Sequence, residues 1–323
     1  REGMSEAEAN ALVKDAEKAE HKKNMLFQKS PDWEKAADCY QKAAQIYRSP
    51  AVKKTDAAVY AFDKASACHA QCGARFFAGV ALENAANVLR DAKSQKQAAA
   101  KFVEASQMYL LGENVEKCAE SLIKAAKAQV EVDADAAIQN YLDVITLYEE
   151  HEKHIYIADT WRAVLGLMLR QGRNTDAIQL LSRMFPTFRL LGQEDYLYKA
   201  QLSMIVVQLS SGDTAAANSS IDKFEGLVDC PEGRAAMELV EKFEEGDFER
   251  VAELTKEQTF TLLENQVART ARSLSDKCKE IAGDMTGAFE VAPRPVMDDY
   301  VPHKPSAAAQ ATAEEDDEMD DLL

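Results

Sequence analysis

Glycine and proline are scarce, at 13 and 8 of 323 residues, too few for the many tight turns of a sheet-rich fold. A β-rich enzyme is thereby disfavoured. No run approaches the roughly 20 apolar residues that cross a bilayer, so peripheral attachment is the route to a membrane that stays open. Six cysteines (Cys39, Cys68, Cys72, Cys118, Cys230 and Cys278) are scattered along the chain, without the dense spacing of a disulfide framework, and the start has no apolar signal core. These absences point to a reducing, cytoplasmic compartment. Phosphate-cradling loops of the forms GxxxxGKS/T and GxGxxG are missing, as are GxSxG, HExxH and CxxC, so neither catalysis nor a cofactor is expected. His151 and His154, beside Glu149 and Glu150, offer two metal ligands without a second pair at ligand spacing, and read as a polar turn. Cys68, His69 and Cys72 read as part of an alanine-rich helix with the thiols buried as small hydrophobes.

Positive charge is also in short supply. Lys and Arg number 38 against 55 Asp and Glu, a formal net charge of −17, which makes nucleic acid an unsuitable partner. Seven of the acids crowd into residues 314–323 with no base among them, leaving −10 for the rest. Ahead of them, Pro293, Pro295, Pro302, Pro305 and an alanine-rich stretch at 306–311 read as a flexible linker.

What the chain does have is a repeat. Small residues alternate with aromatics at helical spacing: Ala36-Ala37 with Tyr40, then Ala43-Ala44 with Tyr47. The same pattern returns as Ala98-Ala99 with Phe102, as Ala136-Ala137 with Tyr141, and as Ala177 with Leu181. Phe102, Tyr141 and Leu181 recur about every 40 residues, the length of one helical hairpin in a stacked array. Alanine lets two helices approach, and the large side chain fills the groove of the neighbour. Helix starts are expected near residues 32, 53, 75, 95, 114, 134, 154, 174, 194, 213 and 231, with partner helices over about 115–132, 155–171 and 196–211. Ser30-Pro31-Asp32 is expected to open a helix with proline at an early position, and Gly112, Gly172 and Gly192 to take positive φ at helix C-termini. Residues 255–281 read as one or two further helices that bury Phe260, Leu262, Leu263, Val267, Leu274 and Ile281. The fold is therefore expected to be all-α: a TPR-like right-handed solenoid of antiparallel helical hairpins over 4–245, a C-terminal helical cap over 246–285, a Pro/Ala linker over 286–313 and a disordered acidic tail over 314–323.

Three surface features remain. Met25, Leu26 and Phe27 form an apolar triplet flanked by Lys22, Lys23 and Lys29. At a loop tip the triplet would enter a lipid interface while the lysines meet headgroups; folded back, it would staple two helices together. Bases including Arg90, Lys93, Lys96, Lys101, Lys117, Lys124, Lys127, Arg162, Arg170 and Lys199 either align along one face of stacked hairpins or scatter over a solvated surface. Glu241, Glu244 and Glu245 form an acidic counterpart where the repeat fades.

The helix carrying Ala16-Glu17-Lys18, the lysine-flanked triplet, Pro31-Asp32-Trp33-Glu34-Lys35-Ala36-Ala37 and the later Asp195-Tyr196-Leu-Tyr-Lys199-Ala200 together resemble the soluble NSF attachment proteins. The Pro-Asp-Trp-Glu segment and the long linker resemble the gamma type more than the alpha type. The resemblance implies an adaptor that binds the assembled four-helix SNARE complex after membrane fusion, and recruits and stimulates the hexameric ATPase NSF on the cytosolic face of membranes. It assigns Met25, Leu26 and Phe27 to membrane attachment. Arg90 and Lys199, with Lys124 and Arg162 as further candidates, go to the SNARE-facing surface. Glu241, Glu244 and Glu245 go to NSF contact, and Leu322 to stimulation of its ATPase. Asp159 and Glu194 stand where the family has lysines in the SNARE-facing set, which implies a different SNARE affinity or choice. A generic TPR-like scaffold for another partner is the alternative, and a metal enzyme built on His151 and His154 a remote one.

Overall fold

The computed structural model of the chain describes residues 5–22, 31–224 and 226–287. Among these residues there are fifteen α-helices and no strand. The first seven are α1 (Glu6–Glu20), α2 (Trp33–Arg48), α3 (Thr55–Gln71), α4 (Arg75–Asp91), α5 (Gln95–Leu111), α6 (Val115–Gln129) and α7 (Ala134–Glu150). After a 3-10 turn at His154–Tyr156 come α8 (Ile157–Arg170), α9 (Asn174–Leu190), α10 (Glu194–Ser210) and α11 (Thr214–Lys223). A second 3-10 turn leads to α12 (Pro231–Glu244), α13 (Phe248–Leu254), α14 (Gln258–Thr261) and α15 (Asn265–Gly287). The compact unit built from these helices ends at Ala282, and the last residues of α15 belong to the segment beyond it.

The alanine-and-aromatic pattern does what its spacing predicts. Ala36, Ala37, Ala43, Ala44, Ala98, Ala99 and Ala105 are fully buried, as are Tyr40 and Phe102 beside them. From α1 to α13 each helix packs on the next, most of them through turns of three or four residues, which requires consecutive helices to run antiparallel. The result is an all-α, TPR-like solenoid. Ion pairs about 40 positions apart tie helices to the next but one: Arg48 to Asp91 at 3.0 Å, Lys101 to Asp63 at 3.0 Å, Arg173 to Asp135 at 2.7 Å and Arg183 to Glu149 at 2.5 Å. Most of these pairs are half exposed and contribute about 1 kcal/mol or less each.

The turns repeat as regularly as the helices. Lys53, Gly73, Lys93, Glu113, Glu152, Gly172, Gly192 and Gly212 all have positive φ, spaced by about one helix plus one turn except across the α6–α7 turn, which has none. At α4 the Lys93 N–H donates to Arg90 O and the Ser94 N–H to Leu89 O, both at 2.9 Å, the paired closure that satisfies the last carbonyls of a helix. The expectation for Gly172 and Gly192 holds, whereas Gly112 keeps φ −94° and Glu113 takes the left-handed position. Gly112 serves close approach instead, since a Cβ there would stand 3.2 Å from Arg75 Cβ.

Other expectations are corrected. Pro31 precedes the helix, and Asp32 is the cap, its carboxylate accepting the Lys35 N–H at 3.3 Å. The helix expected over 115–132 ends at Gln129, and the one expected from 155 begins with the 3-10 turn. Cys68 is buried but Cys72 is exposed, because it lies at the C-terminal end of α3, beyond the packed face. In the C-terminal helices Phe260, Leu263, Val267 and Leu274 are buried and Ile281 half-buried, while Leu262 is 58% exposed. The repeat loses its pattern after α9 for a physical reason. Residues 200–209 of α10 are buried on every face, so this helix is enclosed by its neighbours and has no polar side for periodicity to reveal.

Candidate functional site

Because consecutive helices are antiparallel, the turns from odd to even helices come to one edge and those from even to odd helices to the other. The four basic candidates all lie on even-numbered helices: Arg90 on α4, Lys124 on α6, Arg162 on α8 and Lys199 on α10. Arg90 and Arg162 are exposed, Lys124 and Lys199 half-buried. They are not equivalent chemically. Lys124 is paired with Glu83, which also accepts a 2.8 Å hydrogen bond from the buried Tyr109 hydroxyl. Burial pushes the Glu83 carboxyl up, but the bonds from Lys124 and Tyr109 outweigh it, and the net shift is downward. Lys124 thus neutralises a carboxylate of its own chain.

Arg162 and Lys199 are brought together. They line a cavity of about 520 Å³ with Trp161, Tyr196, Leu262 and Glu264 among its walls. The Arg162 guanidinium lies 5.9 Å from the centroid of the Tyr196 ring, a cation–π arrangement. Tyr196 stacks on Phe188 at 5.9 Å, and Trp161 meets Phe188 edge-on at 5.6 Å. This aromatic stack sets where the guanidinium stands. Asp159 is 3.3 Å from Arg162, so its charge offsets that arginine, and Glu194 sits in the first turn of α10. On the far wall Glu264 caps α15, accepting the N–H groups of Gln266 and Val267 at 2.7 and 3.1 Å. Its carboxylate rests on Gly166, where a Cβ would come within 2.8 Å of Oε1. The roles of Trp161, Tyr196 and Glu264 are not evident in the sequence reading, because they come from two helices and a later turn that together span about 100 residues. The one local signal is Gly166 inside an apolar helix, the mark of a close approach.

The acidic candidates Glu241, Glu244 and Glu245 are exposed at the C-terminal end of α12. Carboxylates there oppose the helix dipole, which favours cations at that end, so the placement costs stability that folding alone would not select. Lys242 answers part of the charge, 3.2 Å from Glu241 and 2.7 Å from Glu245, and Asn218 of α11 donates to Glu244. Asp247 and Glu249 follow at the start of α13. The Asn218 contact places this corner at the edge where even helices end.

Of the apolar loop, Lys22 is described, with its Nζ 3.6 Å from the Asp32 carboxylate. Lys23, Met25, Leu26, Phe27 and Lys29 lie outside the described residues, as does Leu322. Among the described residues no helix is long and apolar enough to cross a membrane, and no three His, Cys, Asp or Glu side chains are grouped for a metal ion.

Comparison with known proteins agrees with the fold. The family model described as soluble NSF attachment protein, SNAP, matches residues 7–259. The gamma-soluble NSF attachment protein of Dictyostelium discoideum is 28% identical over 271 residues, covering 83% of this chain and 82% of that protein. The gamma-soluble NSF attachment protein of Arabidopsis thaliana is 26% identical over 248 residues, covering 76% and 84%. A match over most of an all-α solenoid, with relatives of the gamma type, establishes that the chain belongs to the soluble NSF attachment protein family.

Proposed function

We infer that this protein is an adaptor that binds assembled SNARE complexes and recruits and stimulates NSF, the ATPase that takes those complexes apart. The observation that supports this reading most strongly is the separation of charge along the helical array. Arg162 and Lys199 share one cavity on α8 and α10, while Glu241, Glu244 and Glu245 stand unfavourably at the end of α12. A basic surface suits an acidic helical bundle, and an acidic corner suits a basic surface on the ATPase. Arg90 extends the basic surface, and Lys124 contributes less because Glu83 already neutralises it. Asp159 and Glu194 weaken the field around Arg162, which tunes affinity toward a particular set of SNAREs.

Within this reading residues 4–245 are the solenoid and 246–285 its cap, and 286–313 tether the acidic tail, 314–323, whose Leu322 engages NSF. Met25, Leu26 and Phe27, with Lys22, Lys23 and Lys29, hold the adaptor to the cytosolic face of the membrane. Several copies on one bundle would convert weak contacts into avidity.

Charge reversal tests the SNARE-facing part. Arg162→Glu and Lys199→Glu, each in the full chain, are expected to weaken capture by an immobilised SNARE complex about tenfold or more, as expected for a contacting ion replaced by its opposite. Lys124→Gln is expected to have a much smaller effect. Unchanged capture by both reversals would remove this surface from the account.

A further inference from the structure

Over residues 265–281, α15 holds Arg269, Arg272, Lys277 and Lys279 against Asp276 and Glu280, four bases against two acids in a chain that carries −10 ahead of its tail. Val267, Ala271, Leu274 and Cys278 are buried. On the opposite side of the helix Asn265, Arg269, Arg272, Asp276 and Lys279 are exposed. Successive steps of four, three, four and three residues bring these five into one stripe. At a rise of 1.5 Å per residue, Arg269 and Lys279 stand about 15 Å apart along it.

The packing of α15 sets where the stripe lies. At its start Glu264 rests on Gly166 of α8, and near its end the Cys278 thiol is 3.6 Å from the Phe243 carbonyl of α12. The helix thus runs from α8 to α12, among the even-numbered helices that carry the basic candidates. Residues 200–209 of α10 are all buried or half-buried, so beyond Lys199 that helix offers no further charge to the surface. Asn265, the first residue of the stripe, lines the same cavity as Arg162 and Lys199. The stripe therefore begins at the cavity wall and carries basic charge onward from it.

The acids around Arg269 and Arg272 have other partners, Asp276 excepted. Glu264 accepts the backbone N–H groups of Gln266 and Val267, and Glu280 pairs with Lys277 at 3.5 Å. Glu238, Glu253 and Glu257 are taken up by Arg250 at 2.6, 3.1 and 3.8 Å. Asp276 stands exposed within the stripe. None of the ion pairs among the described residues includes Arg269 or Arg272. Lys279 lies 5.3 Å from the centroid of the Phe248 ring, beside the acidic corner, and ends the stripe. A small anion needs donors that converge on one point. Cations in a row on one helix match acids in a row on another.

We propose that Arg269 and Arg272 of α15 extend the surface of Arg162 and Lys199 and contact the acidic helical bundle of the SNARE complex. The proposal deepens the SNARE-binding part of the reading above and rests on it. It gives the C-terminal cap a share in recognition besides closing the core. Asp276 sets a limit on that share, because its carboxylate repels the same acids that the two arginines attract.

The test uses the full chain and an immobilised SNARE complex. Arg269→Glu with Arg272→Glu is expected to weaken capture about tenfold at low salt and about twofold in roughly 0.5 M salt, following the screening of exposed charges. Asp276→Lys is expected to strengthen capture about threefold at low salt, a gain that a damaged fold does not produce. Loss in the reversal variant together with gain in the Asp276→Lys chain supports the proposal. Unchanged capture by the reversal variant overturns it, even where Arg162→Glu and Lys199→Glu weaken capture and so uphold the reading it rests on. Loss in the reversal variant without a gain from Asp276→Lys overturns it in favour of damage to the cap. Unchanged SNARE capture with weakened binding to phosphatidylcholine vesicles containing about 30% phosphatidylserine overturns it in favour of an anionic lipid. An unaltered chain that fails to capture the SNARE complex overturns both the proposal and the reading beneath it.

Discussion

Gly79 is the position where two opposing effects of one methyl group can be weighed. It lies inside α4 and faces the flat side of the Tyr109 ring; a Cβ built there would be 2.8 Å from both Cδ1 and Cε1. Replacing an interior helical glycine by alanine gains about 1 kcal/mol of helix propensity. Against that gain, an extra methyl in a filled core costs about 1–3 kcal/mol. The ring cannot retreat easily, because Tyr109 is 1% exposed and its hydroxyl donates to Glu83 at 2.8 Å. A shift that broke this bond would add about 1 kcal/mol more. Gly79→Ala is therefore expected to destabilise the protein by about 1–2 kcal/mol, the steric and hydrogen-bond costs outweighing propensity. In a Tyr109→Leu background the ring is gone and the same substitution is expected to stabilise by about 1 kcal/mol. Urea unfolding followed by circular dichroism, with all four proteins of the cycle, measures the difference. A stabilising Gly79→Ala in the wild type, or an equal effect in both backgrounds, would refute the reasoning.

Three further outcomes follow from the turns, thiols and carboxylates. Lys93→Gly relieves a left-handed lysine at φ +62° and is expected to raise stability by about 0.5–1 kcal/mol, whereas Gly172→Ala at φ +69° lowers it by about 1, both read from urea midpoints. Ellman's reagent is expected to modify exposed Cys72 rapidly and half-buried Cys230 more slowly. Cys39, Cys68, Cys118 and Cys278 are expected to react on unfolding, with burial pushing the Cys68 thiol up to about 12 and the Cys118 thiol up to about 11. The folded Glu83 carboxyl titrates below its ordinary value; its stabilisation is complete above the unfolded carboxylate pKa of about 4.3 and is lost as pH falls through the folded value. Glu83→Gln should therefore flatten the acid limb of a stability-versus-pH curve, and an unchanged limb would show that the Lys124–Glu83–Tyr109 network carries no linkage.

The regular part of the fold is legible because its stability is local and repeated. Ala36-Ala37 with Tyr40 and Ala98-Ala99 with Phe102 each report a helix pair that buries its face against the next, so spacing alone recovers the helix starts. Sequence patterns fail where a residue answers to a distant neighbour. Gly112 looks like a helix stop, yet its glycine is used to admit Arg75 while Glu113 takes the strained turn. Leu262 has the periodicity of a core residue but lies on the wall of the Arg162–Lys199 cavity, 58% exposed. Helix α10 hides its orientation because residues 200–209 are buried on every side, the polar Gln201, Ser203 and Gln208 among them. The cavity itself joins α8, α10 and the start of α15, and a linear pattern has no way to express that meeting. Family resemblance supplied Arg162 and Lys199 as candidates, whereas their difference from the self-neutralised Lys124 required coordinates.

The central claim is that one chain couples an acidic bundle to an ATPase, and the coupling can be measured with the tail removed. NSF ATPase activity is recorded with assembled SNARE complex and either the intact protein or a chain ending at Ala313. The account predicts that the shortened chain still binds the SNARE complex with unchanged affinity and fails to stimulate the ATPase. Full stimulation by the shortened chain would contradict it.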